Sequence, residues 1–303
     1  RGWSRVDTLT QVEGQTLEWD KAAVSRLFSA AVFRELATEG RSPLAARLLV
    51  GLGLPANARR DQSLRVALES YFRWLSEAGR RDDSVLRSAL VQKIVLGRHS
   101  LGTTVALSEL RAGRSKADIV VFNGTSTCYE IKSDRDSLTR LPGQLCDFRK
   151  TFGKTNVVVS ANHVQPVLDL APPDVGVIEL TSRNTLKTRR EAIEDLSYLD
   201  PARLLGMLRV SEASALLTAS GRVMREVPNT QLRTYLLREF HSMDPVDLHR
   251  RVVGTIKKSR CQAARGSFVK QLPLGFRPLG LAVDLPKSAQ AQLLDSLEHP
   301  LSN

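Results

Sequence analysis

The sequence predicts an α/β (α+β) chain with a sheet in its middle third and helices on both sides. Three observations predict it. Apolar residues recur at helical spacing from residue 21 to about 98. From about 103 to 180 the pattern changes to short β-branched or aromatic runs. From 189 to 260 helical spacing returns. The reading divides the chain into a helical region 1–98, a core 99–185 and a helical, basic region 186–303.

In the first region Val24, Leu27, Phe28, Ala31, Val32 and Leu36 form one helical stripe. Leu64, Ala67, Leu68, Tyr71, Phe72 and Leu75 form a second, and Leu86, Leu90, Ile94 and Val95 a third. Ser42-Pro43 and the segment Gly51 to Pro55 break these helices. In the core, Ile119–Phe122, Val157–Val159 and Val175–Leu180 read as strands. Leu138, Leu141, Leu145, Phe148 and Phe152 read as one helical stripe between them. The order strand, strand, helix, strand implies a layered α/β or α+β unit. Beyond it, Leu204, Leu205, Leu208, Leu216 and Leu217, then Leu232, Tyr235, Leu236 and Phe240, anchor further helices. Pro273, Gly275, Pro278 and Gly280 predict a loop, and Lys287 to Leu297 a last short helix.

The chain has 303 residues, enough for one larger or two small domains with a proper core. Its apolar fraction of 42% and charged fraction of 25% exclude collagenous, coiled-coil and wholly disordered chains. No apolar run reaches the roughly 20 residues of a membrane span, and no strongly amphipathic basic helix carries exposed Trp or Phe, so no membrane partner is expected. Arg1–Arg5 carry no hydrophobic signal core, so secretion is not expected. Cys128, Cys146 and Cys261 form no CxxC pair and are odd in number. That argues against a disulfide framework or structural zinc and for a reduced, cytoplasmic setting. The net charge of +12 favours polyanionic partners, nucleic acid first.

The chemistry concentrates between Glu109 and Lys132. Asn123-Gly124 between two β-prone runs signals a hairpin. Asp118 begins its first strand. Glu130 and Lys132 stand two apart on its second and share a face. Carboxylates on neighbouring strands offer the hard oxygens that suit Mg²⁺ or Mn²⁺. An ammonium beside them can hold a water or balance charge developing on a phosphate. Register is the condition. A two-residue turn at Asn123-Gly124 would set Asp118 opposite Tyr129 and turn it away from Glu130. Facing Glu130 requires a three-residue loop or a bulge. The bland alternative is a surface hairpin with a Glu130–Lys132 ion pair, which leaves unexplained why such residues interrupt apolar strands.

Asp118 followed by Glu130-Ile131-Lys132 resembles the D…ExK signature of the PD-(D/E)XK nuclease superfamily. Gly97–Leu101, Glu109, Lys116–Ile119, Asn123–Thr127, Asp136–Leu138 and Gln144-Leu145 extend the resemblance to an uncharacterised bacterial, restriction-endonuclease-like family. It covers residues 60 to 180, with weaker helical similarity to about 260. It implies a central mixed sheet flanked by helices and a metal-dependent deoxyribonuclease serving DNA processing or defence against foreign DNA. Asp118 and Glu130 would be metal ligands, Glu109 would complete the set, and Lys132 would position the water. Gln144 would sit beside the metal or the DNA backbone. Two departures stand out. Phe148 occupies a position where relatives often carry tyrosine, and Ala117 replaces the proline usual before the aspartate. Many relatives cut both strands as homodimers, and the lack of a helicase or methylase segment leaves room for a protein partner that chooses the target.

Other candidates are weaker. Gly153-Lys154-Thr155 lacks the upstream glycine of a phosphate-binding loop, since Phe148 stands there. His163 follows a strand near the site, and a plain loop histidine is the simpler reading. Arg135, Arg140, Arg149 and Lys150 flank the motif as phosphate contacts or as a solvated helix face. From Arg222 to Lys270 there are 11 Lys+Arg and 4 Asp+Glu. There Arg250, Arg251, Lys257 and Lys258 make either an arm on the DNA backbone or a helix that merely improves solubility. The alternative to a nuclease is a non-cleaving DNA-binding or interaction module on the same fold.

Overall fold

A computed structural model describes residues 19–53, 62–99 and 101–301. Arg1–Arg5, the Leu54-Pro55 end of one predicted break and Ser100 lie outside the described residues. Asp20, Ser29 and Ser42 open the first three helices by accepting from the N–H of Ala22, Val32 and Ala45. These helices are α1 (Lys21–Leu27), α2 (Ala30–Glu39) and α3 (Pro43–Leu52), followed by α4 (Leu64–Leu75) and α5 (Asp83–Leu90). The predicted stripes are their buried faces: Val24, Leu27, Val32 and Leu36, then Leu68, Tyr71 and Leu75, then Leu86 and Leu90.

The strands are β1 (Val105–Ala112), β2 (Ser115–Asn123) and β3 (Thr125–Lys132). Helix α6 (Leu141–Arg149) leads to β4 (Lys154–Ser160), and α7 (Val164–Leu170) to β5 (Gly176–Leu180) and β6 (Leu186–Arg190). They form one six-stranded mixed sheet in chain order. Pairs β1–β2, β2–β3 and β5–β6 are antiparallel; β3–β4 and β4–β5 are parallel. Parallel neighbours need a crossover, and α6 and α7 provide the two. The fold is thus the mixed α+β class expected, with helices flanking the sheet.

Two strands escape the sequence reading. Leu186–Arg190 is polar and lies at the sheet edge, where strands carry charge and lack alternation. Val105–Ala112 is rich in Ala, Leu, Glu and Arg, which favour helix; pairing with β2 overrides that preference. Asp118 lies on the first strand of the hairpin, as read, but three residues inside it rather than at its start.

After the sheet come α8 (Pro201–Gly206), α9 (Val210–Ala219), α10 (Asn229–His241) and α11 (Pro245–Ser259). Leu204, Leu216, Leu236, Phe240, Leu248, Val252 and Ile256 join Val120, Phe122, Cys128, Leu145, Phe148 and Val157 in one core. The last helices are α12 (Gly266–Gln271), α13 (Arg277–Ala282) and α14 (Lys287–Glu298). The loop expected at 273–280 is largely helical. Pro278 falls in the first turn of α13, where its missing N–H costs nothing. Gly275 is required by packing, since a Cβ there would stand 2.3 Å from Phe28 and 2.7 Å from Phe72.

The chain forms two compact units. One contains residues 1–92 and 267–303; the other contains 93–266. The stretch read as one C-terminal region, 186–303, is divided between them. Residues up to 266 belong with the sheet and the rest with the N-terminal helices.

Candidate active site

Strands β2 and β3 pair Ile119 with Tyr129, Val120 with Cys128 and Asn123 with Thr125. Every pair sums to 248, so Asn123, Gly124 and Thr125 make a three-residue connection. Gly124 has φ 77, left-handed backbone that suits glycine. This is the register that puts Asp118 level with Glu130. Asp118, Glu130 and Lys132 share the sheet face of Val120 and Cys128, which is covered by helices.

On that face Asp118 Oδ2 accepts from the N–H of Ile131 at 2.8 Å, bridging to β3 just beyond the last β2–β3 ladder pair. Gln144 lies between Leu141 and Phe148 on the sheet-facing stripe of α6, and so projects onto β3. A closed ring results. Lys132 Nζ donates to Glu130 Oε1 at 2.7 Å and to Gln144 Oε1 at 3.0 Å. Gln144 Nε2 donates to Glu130 Oε1 at 2.6 Å. An ammonium only donates and a carboxylate only accepts, so this ring fixes the amide's orientation.

Glu130 and Lys132 side chains are only 3% and 9% exposed. Burial, then the Asp118 charge, pushes the Glu130 carboxyl up to about 7, against the lowering pull of Lys132 and Gln144. Glu130 Oε2 is buried and accepts no hydrogen bond. A buried, unpartnered carboxylate oxygen beside a second carboxylate is what a hard divalent cation would satisfy, so Asp118 and Glu130 fit that group.

Glu109 does not complete the set. The β1–β2 register would put it opposite Asp118, between the pairs Ser108–Ile119 and Leu110–Ala117. Its backbone is left-handed instead, φ 56, which is strained for a glutamate within a strand. Its carboxylate meets Lys116 Nζ at 2.8 Å in an exposed pair. Among the described residues no group of three His, Cys, Asp or Glu side chains is assembled to hold a metal.

The supporting residues separate. Arg135 and Arg140 are exposed on the β3–α6 connection, in sequence next to the ring. Arg149 is engaged structurally: it pairs with Asp174 at 2.7 Å and lies 4.2 Å over the Tyr198 ring. Phe148 is fully buried, so the missing tyrosine is a core position here. On α11, Leu248, Val252, Val253 and Ile256 are buried, and Arg250, Arg251 and Lys258 are exposed. At about 3.6 residues per turn, Arg250 aligns with Lys257 and Arg251 with Lys258, in two rows. Arg250 and Arg251 both contact Asp247, which offsets part of their charge. His163 has its Nε2 buried without a hydrogen-bond partner.

One buried polar contact has no sequence signal. Ser126 Oγ lies 2.8 Å from His249 Nε2, 123 residues away, and also accepts from the N–H of Gly153 at 3.1 Å. Burial holds His249 below the usual histidine range, with Glu194 opposing and Arg250 adding to the shift. Ser126 is fully buried, so this contact fastens α11 to β3 rather than meeting a substrate.

The fold and site define a mixed α+β protein with a Glu–Lys–Gln ring and a neighbouring aspartate on the helix-covered face of its sheet. The chain belongs to the family described as Bacteriophage P4 protein cII, which it matches over residues 77–274. It is similar to protein cII of Enterobacteria phage P4, with 29% identity over 220 residues covering 72% of this chain and 74% of that protein. No solved structure matches. Among the described residues no helix is long and apolar enough to cross a membrane.

Proposed function

We propose that the chain is a divalent-metal-dependent nuclease of PD-(D/E)XK type that hydrolyses DNA phosphodiesters. The carrying observation is the convergence of Asp118, Glu130, Lys132 and Gln144, with Glu130 Oε2 left buried and unpartnered. Asp118 and Glu130 would hold Mg²⁺ or Mn²⁺. When bound, such an ion polarises the phosphate and lowers the pKa of water. Gln144 holds the Glu130 carboxylate at Oε1, which leaves Oε2 for the cation. Lys132 Nζ has a third proton beyond its two bonds in the ring, available to orient a water or a phosphate oxygen. Arg135 and Arg140 extend positive charge outward from the ring toward the DNA backbone. Three cysteines without disulfides suit a reducing, cytoplasmic setting.

A non-cleaving DNA-binding module is the second reading. It is favoured by Glu109, which pairs with Lys116 instead of joining the other carboxylates. Plasmid, linear duplex and single-stranded DNA, each with Mg²⁺, Mn²⁺ or EDTA, separate the two. Cutting that needs metal and falls by at least about 100-fold in Asp118→Ala and Lys132→Ala is expected. Binding without cutting under every condition would establish the module instead. Cutting that survives both substitutions would remove the site assignment.

A further inference from the structure

A cavity of about 200 Å³ lies where β1 begins and α11 ends, lined by Leu101, Gly102, Thr103, Thr104, Lys257 and Cys261 among others. Leu101 and Thr104 are buried and make its floor; Gly102, Thr103 and Cys261 are exposed and make its rim. Its two walls are fixed to each other. Gln262, itself buried, accepts from the N–H of Ala106 at 3.0 Å and donates to the Ala106 carbonyl at 2.9 Å. That pair ties the end of α11 to the exposed edge of β1.

Three features give the cavity a chemistry. Thr104 is 1% exposed, and its Oγ1 has no hydrogen-bond partner, so a buried donor awaits an acceptor. Lys257, a half-buried residue of the wall, brings a cation that makes no ion pair among the described residues. None of the lining residues is acidic. A donor at the floor, a cation in the wall and no competing carboxylate select an anion. The volume is below the 300–1,000 Å³ or so of sites for drug-sized ligands, so it suits one oxyanion group rather than a whole nucleotide.

We infer that this cavity is a phosphate-binding site in which Lys257 and the Thr104 hydroxyl hold one phosphate group. It is distinct from the ring at Glu130. Val105 pairs with Phe122 and Phe122 with Ser126, so the cavity is level with Ser126. Glu130 stands four residues further along β3, about 13 Å away. The phosphate group has two sources. One is free phosphate or a phosphorylated metabolite. The other, which rests on the nuclease reading, is a backbone phosphate of bound DNA upstream or downstream of the cut.

The test uses the full chain in EDTA, so that no metal recruits phosphate to the carboxylates. Inorganic phosphate is titrated first by calorimetry, then a DNA duplex at several salt concentrations. Saturable phosphate binding, weakened at least about tenfold in both Lys257→Gln and Thr104→Val, is expected. Thr104→Val replaces an unpartnered hydroxyl by a methyl of the same shape, so the phosphate-free variant should melt no lower than the parent. If DNA is the source, Lys257→Gln also weakens duplex binding and flattens its logarithmic salt dependence by about 0.9. Phosphate binding with duplex affinity unchanged in Lys257→Gln assigns the site to a free phosphate. No phosphate binding, or equal binding in both variants, overturns the inference. That outcome is separable from failure of the nuclease reading, which is decided by cutting in Asp118→Ala.

Discussion

Glu130 makes the sharpest prediction, because its environment links stability to pH. Its carboxyl has an ordinary value of 4.5 when exposed in the unfolded chain and is pushed up to about 7 in the fold by burial and by Asp118. Below pH 4.5 both states hold the proton. Between 4.5 and about 7 the unfolded chain releases it and the folded chain keeps it. Folding stability therefore falls as pH rises through that window, and levels off above it. At about 1.4 kcal/mol per pH unit, the whole interval is worth about 3 kcal/mol. Glu130→Gln cannot titrate. It leaves Lys132 without its anion, which shifts its stability by a constant offset. That offset does not change the slope. In EDTA, thermal melts at half-unit steps from pH 4.5 to 7.5 should show the parent losing about 2–3 kcal/mol relative to the variant. That is a relative fall in Tm of roughly 5–10 °C. Parallel curves for the two proteins would refute the argument that Glu130 is desolvated beside a second carboxylate.

Three further outcomes follow from the same geometry. At pH 7 Mg²⁺ should raise the Tm of the parent by the equivalent of about 2.7 kcal/mol at 100 times its Kd. Neither Asp118→Ala nor Glu130→Gln should respond in the same melt. Gln144→Leu removes the amide that orients Glu130, and should weaken Mg²⁺ affinity about 10–100-fold in a calorimetric titration while Lys132 stays in place. Gly113→Ala should destabilise by about 1–3 kcal/mol in urea unfolding. Gly113 has φ +61, and a Cβ there would stand 0.9 Å from Arg203 Nη1, displacing it from Asp147 at 2.9 Å. In Arg203→Ala the same substitution should cost distinctly less, since only the backbone strain remains.

The ring was legible in the sequence to an unusual degree, because its residues sit on one hairpin and the helix after it. Period-two spacing places Glu130 and Lys132 on one face. Gln144 enters from the sequence through the resemblance alone, and the structure sets it with Leu141 and Phe148 on the inward side of α6. What spacing left open was the turn. Asn123-Gly124 is compatible with two- or three-residue connections, and only the observed pairing of Asn123 with Thr125 brings Asp118 level with Glu130. Glu109 has the residue type and spacing of a ligand in the sequence, whereas in the fold its left-handed backbone and the nearby Lys116 set its direction. Arg149 reads from the sequence as a phosphate contact or as part of a solvated helix face, and the fold engages it with Asp174 and Tyr198.

The sequence by itself determined the class of fold, the helical stripes and the hairpin that carries the carboxylates. Each depends on neighbours within a few residues, where backbone periodicity fixes which side chains share a face. Tertiary structure alone decided the edge strands β1 and β6, whose composition argues against a strand until a partner supplies the hydrogen bonds. It alone joined residues 267–303 to the N-terminal helices. It also set Thr104 beside Lys257, two residues with no local pattern in common. Near their shared cavity, Gln262 reaches the edge of a strand 156 residues away in sequence. Contacts of that span leave no periodic trace, so they are decided only when the sheet and α11 have packed.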